Sequence, residues 1–516
     1  MPAELPGRLV WWRAATTAPA LGASGARPRA CWDLGAVHRL LHGGRRDDPA
    51  AVFSPGRDVG VPAPPTLEPT LLDLPGDEPP VGPGGLLSPQ WAREPWTTAP
   101  DEPDALDRAA RWAALALDVQ AGQAALVARL PDPRPEPDAV PLAVLTARAE
   151  SAAALLAVEL EATGLPLDRP TVERLLEAAV GPRPADEAAA RAVRDAQVLR
   201  HFPGASAVDL RNPLSVRELL LRSGIDVPDT RSWRLEPHRS TSPGIAALLD
   251  WRKAERLATT YGWSWLDRHV GADGRLRGSW GAADAAAGRM TASAGLHNLP
   301  AELRPAVAAE PGHVLVRGDL GQVEPRVLAV VSGDPGLTAA AREPDMYAPV
   351  AAQLGCDRPT AKVAVLAAMY GQTSGTAGAA LQRMERAYPQ ALAHLRAAER
   401  VGREGGELRT WGGRLLRFGG GGAGRGARNA VVQGAAAELF KVWAVTVRAG
   451  LVPLGGEVVL CLHDELLLHV PVTSGPAAAG LLHRALREAA GRWSAGSGVR
   501  FEVEVGTGPR WSDAKG

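Results

Sequence analysis

The sequence predicts an α+β multidomain protein with a small α/β piece at its N-terminus, and three observations lead there. At 516 residues the chain exceeds what one hydrophobic core organises, given roughly 100 to 200 residues per domain. Alanine-rich stretches at 104–129 and 142–160 repeat their apolar residues at helical spacing, and 171–270 reads as mostly helical. After Gly271 short β-branched runs appear at 314–316, 458–462 and 466–470, separated by helical stretches, so strands are set among helices.

Taken in order, the first fifty residues hold the apolar piece Arg8-Leu-Val-Trp-Trp12 and a helical pattern from Asp33 to Leu41. From Ser54 to Pro103 prolines and glycines recur every few residues, which prevents long regular elements and reads as a linker or long loop. In the helical region the spacing of Arg252, Lys253 and Arg256 places three cations on neighbouring turns of one helix, a pattern shared by solvated faces and nucleic-acid surfaces.

Composition excludes more than it assigns. The 57 Lys+Arg balance the 57 Asp+Glu, so any polyanion surface must come from local clustering. Only Lys253, Lys362, Lys441 and Lys515 are lysines, and Gly (57) and Pro (45) abound, a bias that fits a GC-rich genome. Cys31, Cys356 and Cys461 form no C-x-x-C pair, so neither a zinc ribbon nor a disulfide framework is expected. The N-terminus lacks an export signal and no run approaches a bilayer-spanning apolar length, so a cytosolic protein is expected. The glycine run Gly419 to Gly422 has no G-x-x-x-x-G-K-[ST] around it and is read as a flexible connection, not a phosphate loop.

Four segments carry chemistry. In His313-Val-Leu-Val-Arg-Gly-Asp-Leu-Gly-Gln-Val-Glu-Pro-Arg326 an apolar strand delivers Asp319 at its end and turns into a helix, with Pro325 in the first turn, where a missing N–H costs nothing. Such an acid is a metal ligand in some proteins and a turn or cap residue in others. In Glu457-Val-Val-Leu-Cys-Leu-His-Asp-Glu-Leu-Leu-Leu-His-Val-Pro471 two apolar strands flank His463-Asp464-Glu465, a β-hairpin with carboxylates at its tip. Two facing aspartates with oxygen ligands suit Mg2+. In Asp357 to Gly371 Arg358, Lys362, Leu366 and Tyr370 recur at i+4 on one helix face. That stripe runs about 18 Å, the length of a nucleoside triphosphate. Finally, the loop from Gly288-Arg289 to His297-Asn298 and the helix start at Arg428, Asn429 and Gln433 offer donors to sugar, phosphate and minor-groove acceptors.

Together these segments resemble the family A DNA polymerases, typified by bacterial DNA polymerase I, from about Ala149 to the C-terminus. The match runs through Gly288-Arg289 to Pro300, Asp319-x-x-Gln322-x-Glu324-x-Arg326, Arg358-x-x-x-Lys362 to Tyr370-Gly371, Gln433-Gly434, His463-Asp464-Glu465 and the closing Glu502-Val-Glu-Val-Gly506. The resemblance implies a right hand: a thumb at 146–280, palm at 281–334 and 427–516, and fingers at 335–426. Residues 1–145 would be a degenerate exonuclease-like region with its linker. It implies two Mg2+ ions on Asp319, Asp464 and the Leu320 carbonyl, with Lys362 as a further catalytic group. Gln322, Glu324, Arg358, Lys362, Leu366 and Tyr370 would handle the nucleotide. Arg289, His297, Asn298, Arg425, Arg428, Asn429, Gln433, His463 and Glu465 would contact DNA. The partners implied are primer-template DNA and deoxynucleoside triphosphates, with the protein a monomer and no membrane involved.

This chain departs from the family at Leu320-Gly321, where Tyr-Ser is usual, at Tyr347 in place of a phosphate-contacting histidine, and at Leu366-Ala367 on the fingers helix. No Asp-x-Glu occurs before residue 150, and Cys31 to His38 only faintly resembles a proofreading motif, so extension without proofreading is expected. The alternatives are a bifunctional exonuclease/polymerase and a non-catalytic DNA clamp.

Overall fold

A computed structural model describes residues 7–24, 26–54, 79–92, 105–205, 208–284, 286–371, 376–419 and 422–515. It divides into a larger unit, Met1–Gly164 with Ser279–Ser293 and Ala309–Gly516, and a smaller one, Leu165–Gly278 with Ala294–Ala308.

The larger unit is built on a four-stranded antiparallel sheet of β1 (His313–Leu320), β2 (Glu457–Cys461), β3 (Glu465–Pro471) and β4 (Val503–Gly508), in the order β2-β3-β1-β4. Side chains alternate along β1. Val316 and Leu320 are buried, and a methyl at Gly318 would lie 3.1 Å from Leu482 and 3.2 Å from Trp443. That face is therefore closed by helices, and the face carrying Arg317 and Asp319 is the other one.

The helices that matter to the site are α1 (Leu142–Thr163), α2 (Val323–Ser332), α3 (Arg358–Tyr370), α4 (Pro389–Glu404), α5 (Gly424–Leu451) and α6 (Gly475–Trp493). Helix α3 starts as its sequence directs. Asp357 caps α3 by accepting the Thr360 N–H, and Pro359 fits its first turn. Helix α5 is buried on nearly every side. The expectation that no stretch reaches membrane-spanning length fails here: Gly424–Leu454 is long and apolar enough, but 83% of its apolar window is buried inside the fold. Core helices of this kind are apolar all round because protein surrounds them. Lys441 is buried in it, its ammonium 2.7 Å from Glu150 on α1, which also receives Arg414 at 2.6 Å.

Near the N-terminus, Leu9–Trp11 and Cys31–Asp33 form a two-stranded parallel pair. Trp12, Trp32, Leu34, Val37 and Trp112 pack with Ala143 and Ala147 of α1. The 146–164 stretch of the expected thumb thus belongs to the larger unit and shares the N-terminal core. Of the expected linker, 55–78 and 93–103 lie outside the described residues, as do Gly420 and Gly421 of the glycine run.

The smaller unit is helical, with helices Arg169–Val180, Glu187–Leu199, Pro213–Arg222, Pro243–Tyr261 and Trp263–His269. Leu210, Val216, Leu220, Ile245, Leu248 and Trp251 fill its core. Glu255, almost fully buried, gathers Arg191, Arg194 and Arg211. Of the three cations on Pro243–Tyr261, Lys253 and Arg256 are exposed, while Arg252 donates to the Thr230 carbonyl.

Candidate active site

The sheet register gathers carboxylates. Asp319 on β1 stands opposite Glu465 on β3 and Glu504 on β4, so all three side chains leave the same face. Arg317, two residues earlier on that face, pairs with Asp319 and places its Nε 2.8 Å from Glu465. The hairpin tip is tied to the same strand end, because the Leu320 N–H donates to the Asp464 carbonyl at 2.8 Å. A main-chain bond thereby brings together two aspartates far apart in sequence.

These acids are held in an uncomfortable state. Burial first, then Glu465 and Glu504, raises the Asp319 carboxyl, with Arg317 opposing. Asp464 is accessible at the tip, yet the surrounding protein and the charges of Asp319, Glu465 and Glu324 push it up to about 6. Like charges crowded into a poorly solvated place raise each other's pKa, and a cation relieves the strain. The carboxylates are near one another without being drawn to coordination distance. Among the described residues, the group of three potential ligands gathered within 4.8 Å is elsewhere, at Glu310, His313 and His469.

The second half of the site is α3. Ala361, Ala364, Val365 and Ala368 are buried on one face, while Arg358 and Lys362 are exposed and Leu366 and Tyr370 half-buried on the other. The stripe expected from the i+4 spacing is open along its length. Its far end reaches the first turn of α2: the Tyr370 hydroxyl donates to Glu324 at 2.8 Å, and Arg289 donates to the other Glu324 oxygen. Burial, and then the Glu324 charge, raises the Tyr370 phenol to about 12, with a hydrogen bond to Gln433 opposing. Four residues expected at the site from separate segments, Arg289, Glu324, Tyr370 and Gln433, therefore form one network.

At the other end, Arg358 donates to Asp345 at 2.6 and 3.1 Å and lies over the Tyr347 ring at 5.6 Å. Gln322, in the left-handed region at φ 56°, donates to Asp345 at 3.0 Å and accepts the Met346 N–H at 3.0 Å. Tyr347 is buried, which raises its phenol to about 12. Two expected nucleotide-handling groups thus converge on Asp345, a residue that sequence reasoning missed.

Other expected contacts are corrected. Arg428 is buried, its Nε donating to the Ala368 carbonyl at 2.7 Å and its Nη1 to Glu399 at 2.9 Å. It ties α5 to α3 and α4 and does not face outward, because α5 starts at Gly424, earlier than expected, and residue 428 falls on a packed face. Glu465 is also buried, accepting the Trp511 indole N–H at 2.6 Å and pairing with Arg317. It braces the sheet. Arg317 and Trp511 were missed as well, although the period-2 pattern placing Arg317 beside Asp319 was a usable signal. Arg425 and His463 are exposed and Asn429 is half-buried. His297 and Asn298 lie in the smaller unit, where Tyr261 donates to the carbonyls of Gly295 (3.0 Å) and Asn298 (2.6 Å) and fixes their loop.

The model of DNA polymerase family A matches residues 222–513. The chain is 31% identical over 324 residues to a thermostable DNA polymerase I of Thermus filiformis, covering 55% of this chain and 38% of that protein. It is 28% identical over 329 residues to DNA polymerase I of Deinococcus radiodurans, covering 54% and 33%. It therefore spans little more than a third of these relatives' length. A solved POL domain of Pol1 from M. smegmatis, in complex with DNA primer-template and dNTP, shares the fold with a TM-score of 0.61 at 22% identity, covering 78% of this chain and 75% of that one. With more than half its length matched by the family model, and with the strand-end aspartates, hairpin tip and open helix face in one unit, the chain belongs to DNA polymerase family A.

Proposed function

We propose that the chain is a template-directed DNA polymerase that adds deoxynucleotides to a primer 3′-hydroxyl without proofreading. The observation that carries the reading is the Arg289–Glu324–Tyr370 network, which couples the open face of α3 to the residue five places after Asp319. A triphosphate on that face would have its sugar over Glu324 and its phosphates toward the carboxylates.

The donor set fits divalent magnesium. The Asp319 carboxyl is raised by burial and by the charges of Glu465 and Glu504, and Asp464 is raised to about 6 by burial and by Asp319, Glu465 and Glu324, and hard oxygen ligands are what Mg2+ takes. Asp319, Asp464 and the Leu320 carbonyl would hold two ions, Arg317 yielding its share of Asp319. When bound, such ions lower the pKa of the primer hydroxyl and neutralise the leaving pyrophosphate.

The chain's own groups do the rest. Lys362, exposed on α3, meets the triphosphate as a compact charge and proton donor. Arg358 grips the outer phosphates once released from Asp345. Leu366 and Tyr370 continue the nucleotide face, Tyr370 holding the template base position, and Glu324, held by two donors, fills the space a ribose 2′-hydroxyl needs. Arg289, Arg425, Asn429, Gln433 and His463 of the larger unit would contact the primer-template, and His297 and Asn298 of the smaller unit would make DNA contacts of their own. In right-hand terms, 281–334 and 427–516 act as palm, 335–426 as fingers, and the smaller unit as thumb.

Extension of a labelled primer-template with Mg2+ and deoxynucleotides tests the reading. Wild-type extension that disappears in Asp319→Ala and Asp464→Ala supports it. Retention of DNA without extension by wild type would leave a non-catalytic clamp.

A further inference from the structure

Strand β1 carries a second cluster of potential ligands at its other end. His313 and His469 lie on the same face as Asp319, since His469 is paired with Leu315 and Pro471 with His313. His313 lies six positions before Asp319, about 20 Å of extended strand. Glu310 completes the group, and one ligand atom from each residue lies within 4.8 Å of the others.

The tautomers can be read from the partners. Pro311's carbonyl can only accept, so the His313 Nδ1 it meets at 3.3 Å carries the proton and leaves a lone pair on Nε2. The Glu310 amide can only donate, so the His469 Nε2 it meets at 3.2 Å also presents a lone pair. A backbone carbonyl on the far nitrogen of a ring is the support that metal-binding histidines commonly have. The rings stack at 4.4 Å and 10°, a contact that two imidazolium ions would oppose. His469 is 3% exposed, and buried histidine beside a carboxylate and a second histidine is a donor set of nitrogen and oxygen, unlike the all-oxygen set at Asp319.

We propose that Glu310, His313 and His469 form a site for one divalent transition-metal ion of the zinc class, a clip between the entry to β1 and the end of β3 that is independent of the Mg2+ site. Two imidazoles and a carboxylate leave a fourth position for water in tetrahedral coordination. The ligand atoms must close from within 4.8 Å to roughly 3.3 Å, the edge of a tetrahedron with bonds of about 2.0–2.1 Å. Side-chain rotation supplies that, with the long amide bond to His469 given up.

The test is Co2+ titration of the chelator-treated full chain, followed by its visible absorption, alongside Zn2+ content after dialysis. One equivalent of Co2+ with a tetrahedral spectrum is expected in wild type and in the Asp319→Ala, Asp464→Ala double variant. Affinity should fall at least tenfold in His313→Ala and in Glu310→Gln, both at positions exposed enough to be tolerated. Zn2+ should raise Tm in wild type and not in His313→Ala, while Mg2+-dependent extension by His313→Ala is unchanged. Equal Co2+ binding by wild type and His313→Ala overturns the site, as does no binding by wild type or loss of the spectrum in the aspartate double variant.

Discussion

Asp33 and Asp319 occupy the same local setting, an aspartate where a strand gives way to a helix, and meet opposite fates. Both Asp33 oxygens are spent: Oδ2 accepts the Ala14 N–H at 2.6 Å and Oδ1 the Ala36 N–H at 2.7 Å, with the side chain 3% exposed. Asp319 is part-exposed, faces Glu465 and Glu504, and has one guanidinium for compensation. The first acid completes the hydrogen bonding of its own backbone. The second is left with charge to share. What separates a cap from a ligand is whether the carboxylate's acceptors are already satisfied, and strand-end position carries no information about that.

The largest effect that would break this contrast is on chemistry. On the proposed reading Asp319→Ala or Asp464→Ala should lower extension by about 10³-fold or more, because groups that hold catalytic metals act on the reacting atoms, while primer-template retention stays near wild type. Asp33→Ala should leave the extension rate within about twofold and cost roughly 1–3 kcal/mol of stability through its two orphaned amides. Single-turnover extension and thermal melts on the same preparations decide it. A mismatched primer end without nucleotides extends the contrast: no metal-dependent shortening should appear, and shortening that survives Asp319→Ala would restore a ligand role to the N-terminal acids.

Next in size is α3, where Lys362 is open and Arg358 is held by Asp345. Lys362→Ala should lower the extension rate by about 10²-fold or more, the scale of a lost proton donor. Arg358→Ala should act mainly on nucleotide affinity. Equal nucleotide dependence in wild type and both variants would remove α3 from the site. A smaller effect concerns sugar choice. Glu324→Ala opens the space beside the incoming sugar, so ribonucleotide use relative to deoxynucleotide should rise roughly tenfold or more. Tyr370→Phe, which removes one of two donors holding Glu324, should move the ratio the same way by less. An unmoved ratio in active Glu324→Ala would mean that this residue only serves the helix start.

Legibility in the sequence followed the range over which each feature is encoded. The hairpin 457–471, helix 358–370 and the strand bearing Asp319 were readable because period and capping are local. The union of Asp319 with Asp464 was an inference about sheet order that the register bears out. Arg428 and Glu465 misled because they lie beside residues of the open site, while burial is decided by packing partners 29 to 148 residues away. Asp345 went unseen for a related reason: its role comes from Gln322 and Arg358 converging on it, and no spacing within one segment announces that. Lysine scarcity singled out Lys362, which is exposed on α3, but applied equally to Lys441, which pairs internally with Glu150.

The smallest effect is on stability, and it sharpens the comparison because Asp33 and Asp464 share a pKa direction. Burial leads in raising each to about 6, above the usual unfolded value near 4. A carboxyl with a raised folded pKa holds its proton more tightly when folded, so the native state loses stability as pH climbs from about 4 through 6, and the loss is complete above that. Asp464→Asn removes this penalty without orphaning any bonded amide, since its main-chain carbonyl, not its side chain, takes the Leu320 N–H. Because Asp464 is exposed, screening limits the gain to about 1 kcal/mol, a rise of roughly 2 °C in Tm at pH 8 that should vanish below pH 4. Asp33→Ala should instead lower Tm at both pH values, with the larger drop at pH 5, where the wild-type penalty is only partly developed. Melts across pH 4 to 8 without divalent metal check both slopes. A fall in Tm at pH 8 for Asp464→Asn would mean that its carboxylate is satisfied in the native state after all, as Asp33's is, and that crowding of charge does not mark the catalytic end of the strand.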